Sequence, residues 1–303
     1  MLSVCIPIYN CNIVNLTQTI YNQCIAENIN FEIVLIDDAS EEHYKIENRQ
    51  ITSLRHVIYL ELETNIGRSA IRNKFLEIVK FDYLLFLDSD SKIDDDHFIS
   101  KYLEKVNDNT EIVCGGRNYD PVLKNKALKL RWKYGIKREC IAASFRSLQP
   151  YNSFLSNNFL IQRSIFECNR FDERIRNYGH EDTLFGYRLK QKGIDVAHIE
   201  NSITHQFNET AGVFIEKTEL AVENLYYIYS RMDVNPDFAE MVKLLKMFKR
   251  LETSNLTGLV NVLFRISSGM IKKALKKGFI WLLLLDIYKT GYLCRLAAKS
   301  TQK

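Results

Sequence analysis

The 303-residue chain is poor in the residues that break or staple a fold. Only four prolines and twelve glycines occur, and no Pro/Gly/Ser-rich stretch divides it, so a flexible linker between independent modules is not expected. The seven cysteines, at 5, 11, 24, 114, 140, 168 and 294, are an odd number with no Cys-x-x-Cys pair. They read as reduced core residues and point to the cytoplasm rather than to secretion. No run of about 18 apolar residues is present, so no membrane span is expected. Met1-Leu2-Ser3-Val4-Cys5-Ile6-Pro7 has no basic segment ahead of its apolar stretch and reads as a first strand, not a signal peptide. A Gly-x-Gly-x-x-Gly run after the first strand and a Gly-Lys-Ser/Thr loop are both missing, which removes the usual phosphate cradles of dinucleotide-binding and P-loop proteins. Internal repeats and low-complexity tracts are missing too.

The composition is that of a folded chain, 46% hydrophobic, long enough for one large domain or two smaller ones. Its formal net charge of +4 is unevenly spread. Residues 243–303 carry thirteen Lys/Arg and two acids, a net +11, which leaves −7 for the rest. The acidic body is a poor nucleic-acid binder, and no nucleic-acid partner is expected. The basic tail suits an anionic surface.

Apolar runs at 2–9, 31–36, 57–62 and 83–87 read as strands, and periodic segments at 15–27 and 68–79 read as helices. Continuously apolar strands alternating with helices predict an α/β layer architecture with a sheet buried on both faces. Further strands are expected at 111–115, 158–161 and 195–199, and helices at 181–191 and 213–229. The basic, aromatic stretch 117–150 carries no readable pattern.

In open α/β sheets ligands bind beyond the carboxyl ends of the strands. Asn10, Asp38, Asn65 and Asp90 each lie at or just past such an end. Asp88-Ser89-Asp90 closes the run Tyr83–Leu87, and alternation along an extended chain can turn residues 88 and 90 to one side. Two carboxylates there can hold a hard divalent cation, and the cation a diphosphate; alone, the triplet also reads as a turn. Arg68 and Arg72, one helical turn apart, offer positive charge for phosphate, or form a solvated helix face. Glu181 and Asp182 open a helix, where acids are favoured by its dipole and where a carboxylate can also serve as a general base. An unperturbed Asp is ionised at neutral pH. His205 follows a strand and suits the shell of Mn²⁺ better than that of Mg²⁺.

These segments, in order, resemble glycosyltransferase family 2, the inverting enzymes of the GT-A fold. The resemblance runs through Ser3–Asn10, Glu32–Ser40, Asn65–Asn73, Asp88–Asp90, Asn157–Arg163, Phe171–Arg174, Tyr178–Asp182 and Tyr187–Leu189. It implies a mostly parallel sheet flanked by helices, with residues 1–212 as the catalytic domain and 213–303 as a helical, basic C-terminal region. It also implies roles. Pro7 (through its backbone), Tyr9, Asn10, Asp38, Asn65, Arg68, Arg72, Asp88 and Ser89 would form the nucleotide-sugar pocket, with Asp38 accepting from uracil. Asp90, Asp88 and His205 would bind Mn²⁺ or Mg²⁺. Asp182 would be the base, with Glu181 beside it. The implied reaction moves a sugar, from UDP before GDP or dTDP, to a hydroxyl of a glycan or lipid-linked acceptor. A nucleotidyltransferase and a catalytically silent scaffold of the same fold are the alternatives. The first lacks its basic Gly-rich loop, and the acids at 88, 90 and 182 argue against the second.

In the tail, Ile271, Leu275, Phe279, Leu282, Leu283, Leu285, Tyr288, Tyr292 and Leu296 recur among lysines. This pattern predicts either an amphipathic surface for the inner face of an anionic membrane or a helical pair packed on the protein or on a second copy of the chain.

Overall fold

The computed structural model describes residues 1–107, 109–123, 125–277 and 281–300. The chain divides into two compact units. The first comprises 1–120, 139–176 and 181–207, and the second 121–138, 177–180 and 208–303.

The first unit is α/β. In chain order it contains β1 (Leu2–Ile8), α1 (Val14–Ala26), β2 (Phe31–Asp37), α2 (Glu42–Arg49), β3 (Val57–Glu61), α3 (Arg68–Lys74), β4 (Tyr83–Leu87), β5 (Ser91–Lys92), α4 (Phe98–Leu103), β6 (Ile112–Cys114) and β7 (Arg117–Asn118). After α5 (Lys129–Tyr134), which belongs to the second unit, come α6 (Ala143–Arg146), β8 (Asn158–Gln162), α7 (Arg163–Cys168), α8 (Glu181–Lys192), β9 (Val196–His198) and β10 (Ile203–His205). Seven strands form one sheet in the order β3-β2-β1-β4-β8-β6-β9, and β5-β10-β7 form a small second sheet. In the large sheet β8 runs antiparallel to both β4 and β6, and the other pairings are parallel. This is the expected mostly parallel architecture.

The strands lack polar alternation because both faces are covered. Leu2, Val4, Ile6 and Ile8 of β1 pack on one side with Leu16 and Ile20 of α1 and Phe98 and Tyr102 of α4. Cys5, Val34, Ile36, Leu84 and Phe86 face the other side, against Ile71 of α3 and a phenylalanine cluster. Phe86 stacks on Phe159 at 5.0 Å, and Phe171 on Phe185 at 4.4 Å. The helix expected over 68–79 ends sooner, at Lys74, and continues as a 3-10 turn at Phe75–Glu77. The stretch 117–150 holds short elements only: β7, α5, α6 and single turns between them.

The second unit adds α9 (Ala211–Arg231), α10 (Asp237–Met241), α11 (Lys243–Thr253), α12 (Thr257–Lys276) and α13 (Leu282–Ser300). Phe214 and Ile215 of α9, Phe264 and Leu275 of α12, and Leu285 and Tyr288 of α13 share one core. Glu219 of α9 accepts from Lys272 (2.9 Å) and from the Tyr288 hydroxyl, and Glu223 from the Tyr292 hydroxyl. The tail residues Leu275, Leu285, Tyr288 and Tyr292 therefore turn inward, as a packed helical pair. Phe279, counted in the same pattern, lies outside the described residues, as does Lys303. No described helix is long and apolar enough to cross a membrane.

A polar knot fixes the start of β8 near the end of β6. Tyr102 donates to Asn158 Oδ1 (2.6 Å), while Asn158 Nδ2 donates to the carbonyls of Gly116 (2.9 Å) and Asn201 (2.8 Å). A Cβ on Gly115 would lie 2.4 Å from both Asn158 Nδ2 and the Asn201 carbonyl oxygen. Gly115→Ala is therefore expected to cost about 2 kcal/mol through overpacking, read as a lowered urea midpoint.

Candidate functional site

The carboxyl ends of β1 and β2 are tied together. Asn10, in the left-handed region at φ 50, donates its N–H to Ser40 Oγ and accepts from the Glu41 N–H, both at 2.8 Å. Pro7 is half-buried, Tyr9 is 57% exposed, and both lie where β1 reaches that edge. Asp38, just past β2, accepts from the backbone N–H groups of Ile66 (2.7 Å) and Gly67 (3.1 Å) through its two oxygens. Asn65 donates to the Asp38 carbonyl at 3.1 Å. Gly67 takes φ 86, a conformation that suits a residue without Cβ and lets its N–H face Asp38 as α3 begins. Burial pushes the Asp38 carboxyl above its usual value, partly offset by these two amide bonds.

α3 carries Arg68 and Arg72 towards the end of β4. Arg72 is 2% exposed and meets Asp88 Oδ1 at 2.6 Å; it also donates to the Arg68 carbonyl at 3.0 Å. Arg68 and Arg117 each lie 3.7 Å from Asp88 Oδ2. One carboxylate thus gathers three guanidiniums. Two further acids close the network: Glu181 with Arg68 at 2.6 Å and Glu139 with Arg117 at 3.2 Å. Burial lowers the Arg72 guanidinium and the Asp88 carboxylate opposes this, so Asp88 offsets the cost of burying that charge.

The two outer aspartates of the 88–90 triplet have different partners. Asp90 Oδ1 lies 3.1 Å from His205 Nδ1, brought there because β10 pairs with β5, His205 opposite Ser91. Both atoms are buried without a hydrogen-bond partner, although the Asp90 side chain is 42% exposed overall. Burial raises the Asp90 carboxyl, but His205 and the charges of Arg117 and Arg68 bring it down to about 2. Two ligands set at right angles about 2.2 Å from one cation stand about 3.1 Å apart, so this pair fits a divalent ion that accepts nitrogen and oxygen. Asp88, held by arginines, is not brought into the pair. Among the described residues no group of three or more His, Cys, Asp or Glu is arranged to hold a metal ion. The protein brings together two of the three expected ligands, and the rest of a cation's shell would come from ligand and water. Ser89 is half-buried, and its carbonyl accepts from Cys11 Sγ at 3.3 Å.

Glu181 and Asp182 open α8 and differ sharply. Glu181 is 5% exposed; burial would raise its carboxyl, but Arg68 and Arg72 outweigh burial and hold it below its usual value. Glu181 Oε2 is buried without a partner. Asp182 accepts from the Thr183 N–H at 2.7 Å. Burial first, then the charge of Glu181, pushes Asp182 up to about 6. It is therefore not the unperturbed carboxylate that the sequence suggests.

Arg117, Glu139 and Tyr119, whose hydroxyl donates to Glu139, were not singled out from the sequence. They come from the stretch without a readable pattern. The one available signal was Arg117 directly after Gly115-Gly116 at a strand end. Among the described residues, buried side-chain atoms without partners include Arg72 Nε, Asp90 Oδ1, Ser91 Oγ, Arg117 Nε, both polar atoms of Asn157, Glu181 Oε2 and His205 Nδ1. Each belongs to the network or adjoins it. Buried polar groups are normally satisfied, so this concentration marks a place prepared for a polar ligand. A separate cleft of about 610 Å³ lies along the outer side of α3, lined among others by Asn65, Gly67, Lys74, Arg170 and Arg176. It contains none of the acids at 88, 90 and 182.

The sheet order is that of an open α/β fold, with acids gathered at the carboxyl end of β4 and at the start of α8. The sequence matches Glycosyl transferase family 2 over residues 3–169, more than half of the chain, and the chain belongs to that family. Chondroitin synthase of Escherichia coli is 24% identical over 258 residues, covering 74% of this chain and 37% of that protein. This chain thus spans well under half of that relative's length. Among solved structures, the mannosyltransferase PcManGT from Pyrobaculum calidifontis, in complex with GDP-Man and Mn²⁺, superposes with a TM-score of 0.62 at 14% identity, covering 99% of this chain and 86% of that one. Glucosyl-3-phosphoglycerate synthase from Mycobacterium tuberculosis, bound to Mn²⁺ and UDP, gives 0.51 at 14% identity, covering 78% and 81%. At these identities the likeness is one of fold, and the fold is GT-A.

Asp88→Ala leaves Arg72 buried without its carboxylate. A loss of about 3 kcal/mol in urea unfolding is expected, against about 1 kcal/mol or less if the pair behaved as a surface ion pair.

Proposed function

We propose that the protein transfers a sugar from a nucleoside-diphosphate sugar, with UDP as the preferred carrier, to a hydroxyl of a glycan or lipid-linked acceptor, with inversion at the anomeric carbon. The observation that carries this reading is geometric. Arg68 reaches Asp88 Oδ2 at 3.7 Å and Glu181 Oε1 at 2.6 Å, so one guanidinium links the acidic end of β4 to the acid pair that opens α8. The UDP and Mn²⁺ bound to the mycobacterial neighbour support the donor class.

In this mechanism Asp38, Asn65 and Tyr9 hold the nucleoside, with Pro7 and Asn10 shaping the β1 edge. Arg68, Arg72 and Arg117 face the diphosphate across Asp88. Asp90 and His205 would hold Mn²⁺ or Mg²⁺, which supplies Lewis-acid stabilisation of the departing diphosphate. Asp182 takes the proton of the attacking hydroxyl. A base with its pKa near the working pH combines ionisation with proton affinity. Glu181, held ionised by Arg68, keeps Asp182 high and offers an acceptor to a sugar hydroxyl through its unpartnered oxygen.

Asp182→Asn is expected to lower transfer by roughly 10²–10⁴-fold with donor affinity nearly unchanged; full transfer by this variant rejects the assignment. In the parent protein the base must be deprotonated. Its raised pKa of about 6 makes the rate climb with pH through that value and level off above about 7. A base near the usual value of about 4 would give a flat profile from pH 5 to 7.

Asp90→Ala is expected to weaken Mn²⁺-dependent UDP binding by at least about tenfold, read by calorimetry. Equal affinity in parent and variant would remove Asp90 from the cation site.

A further inference from the structure

Among the described residues of the second unit, α12 leaves an apolar face uncovered. On α12 the residues Leu259, Leu263, Ile266 and Met270, with Leu256 just ahead of the helix, follow one another in steps of three and four. This spacing keeps them on one face of a helix. Ile266 is 72% exposed, Met270 68%, and Leu259 and Leu263 57% each; Val262 beside them is 52% exposed. The opposite side of the same helix is packed through Phe264 and Leu275. Contiguous exposed apolar surface of this kind marks an interaction site.

The charges on the helix say which partner fits. The same three-four rhythm continues from Met270 to Lys273 and Lys277, both exposed. Arg265 is exposed beside the stripe, and α12 contains no acidic residue. In a parallel pair of two such helices the lysines would face each other at seam positions. In an antiparallel pair they would be buried against Leu256 and Leu259. Either arrangement disfavours a second copy along the full stripe. An anionic lipid surface satisfies both halves: the apolar side chains enter the acyl boundary, and the lysines extend their heads to the phosphates.

The geometry points to α12 as an interfacial helix that seats the protein on an anionic membrane, its apolar stripe 256–270 facing the lipid and Lys273, Lys277 and Arg265 contacting headgroups. This inference stands independently of the transfer reaction proposed above, and its test measures no catalysis.

The experiment is co-sedimentation of the full chain with vesicles of phosphatidylcholine alone and of phosphatidylcholine mixed with phosphatidylglycerol. Binding is expected to the mixed vesicles and to weaken as salt is raised. Lys273→Gln with Lys277→Gln is expected to lower partitioning by on the order of 30-fold at low salt, at about fivefold per basic residue. Leu263→Ser with Ile266→Ser is expected to lower it by at least about tenfold. All four positions are exposed, so thermal unfolding of the variants should match the parent, and a variant that does unfold is replaced by Met270→Ser alone. Equal sedimentation with both vesicle types, or none with either, overturns the inference. So does light scattering that shows a concentration-dependent dimer abolished by the Leu263/Ile266 pair when vesicles are not bound; a second copy would then be the occupant.

Discussion

The structure around the strand ends depends on the Asp88 carboxylate. Arg72 is almost completely buried and reaches Asp88 at 2.6 Å, and Arg68 of the same helix and Arg117 of β7 approach the same carboxylate. A guanidinium does not give up its proton readily, so a buried one must be matched by a fixed anion. Asp88 is that anion. Asp88 and Asp90 therefore have different partners: one carboxylate gathers three guanidiniums, and the other lies beside His205.

Strand direction explains how so many polar groups reach one place. Parallel neighbours deliver only their carboxyl ends to the upper edge of a sheet. β8 is antiparallel to β4, with Leu87 opposite Asn158, so it delivers its start there instead. The Asn157 carbonyl receives the Asp88 N–H at 3.0 Å, and Asn158 holds the chain at Gly116 just before Arg117. Gly116 itself sits at φ 93, where the guanidinium of Arg146 would lie 2.7 Å from any Cβ. The glycine pair therefore lets the chain leave β6 and present Arg117 to Asp88. The antiparallel strand couples two otherwise distant segments to the acidic strand end.

The adjacent acids of α8 show how one contact decides protonation. Glu181 and Asp182 share a helix terminus and its dipole. Arg68 touches Glu181 at 2.6 Å. The ionised Glu181 then raises its neighbour, and the two carboxyls part, one below its usual value and the other at about 6. Environments that push paired carboxyls apart are a general route to separate roles.

What the sequence revealed and what it hid follow from the range of the forces involved. The strands of the large sheet were legible because burial on both faces leaves uninterrupted apolar runs, as in Ile33–Ile36 and Leu84–Leu87. Asp38, Arg68, Arg72, Asp90 and the acid pair were legible because they stand at fixed offsets from those runs. Arg117 and Glu139 were not, since they meet only through folding of a stretch with no period of its own. The tail's two readings, a membrane-facing surface and a packed helical pair, were not separable in the sequence for a related reason. Its lysines and aromatics looked like the two sides of a surface helix, but Glu219 and Glu223, about seventy residues earlier, accept from Tyr288 and Tyr292 and draw that face inward. Periodicity identifies a helix with two unlike sides. Which side is covered depends on partners that the local pattern does not contain, and on α12 the stripe left facing outward is the apolar one.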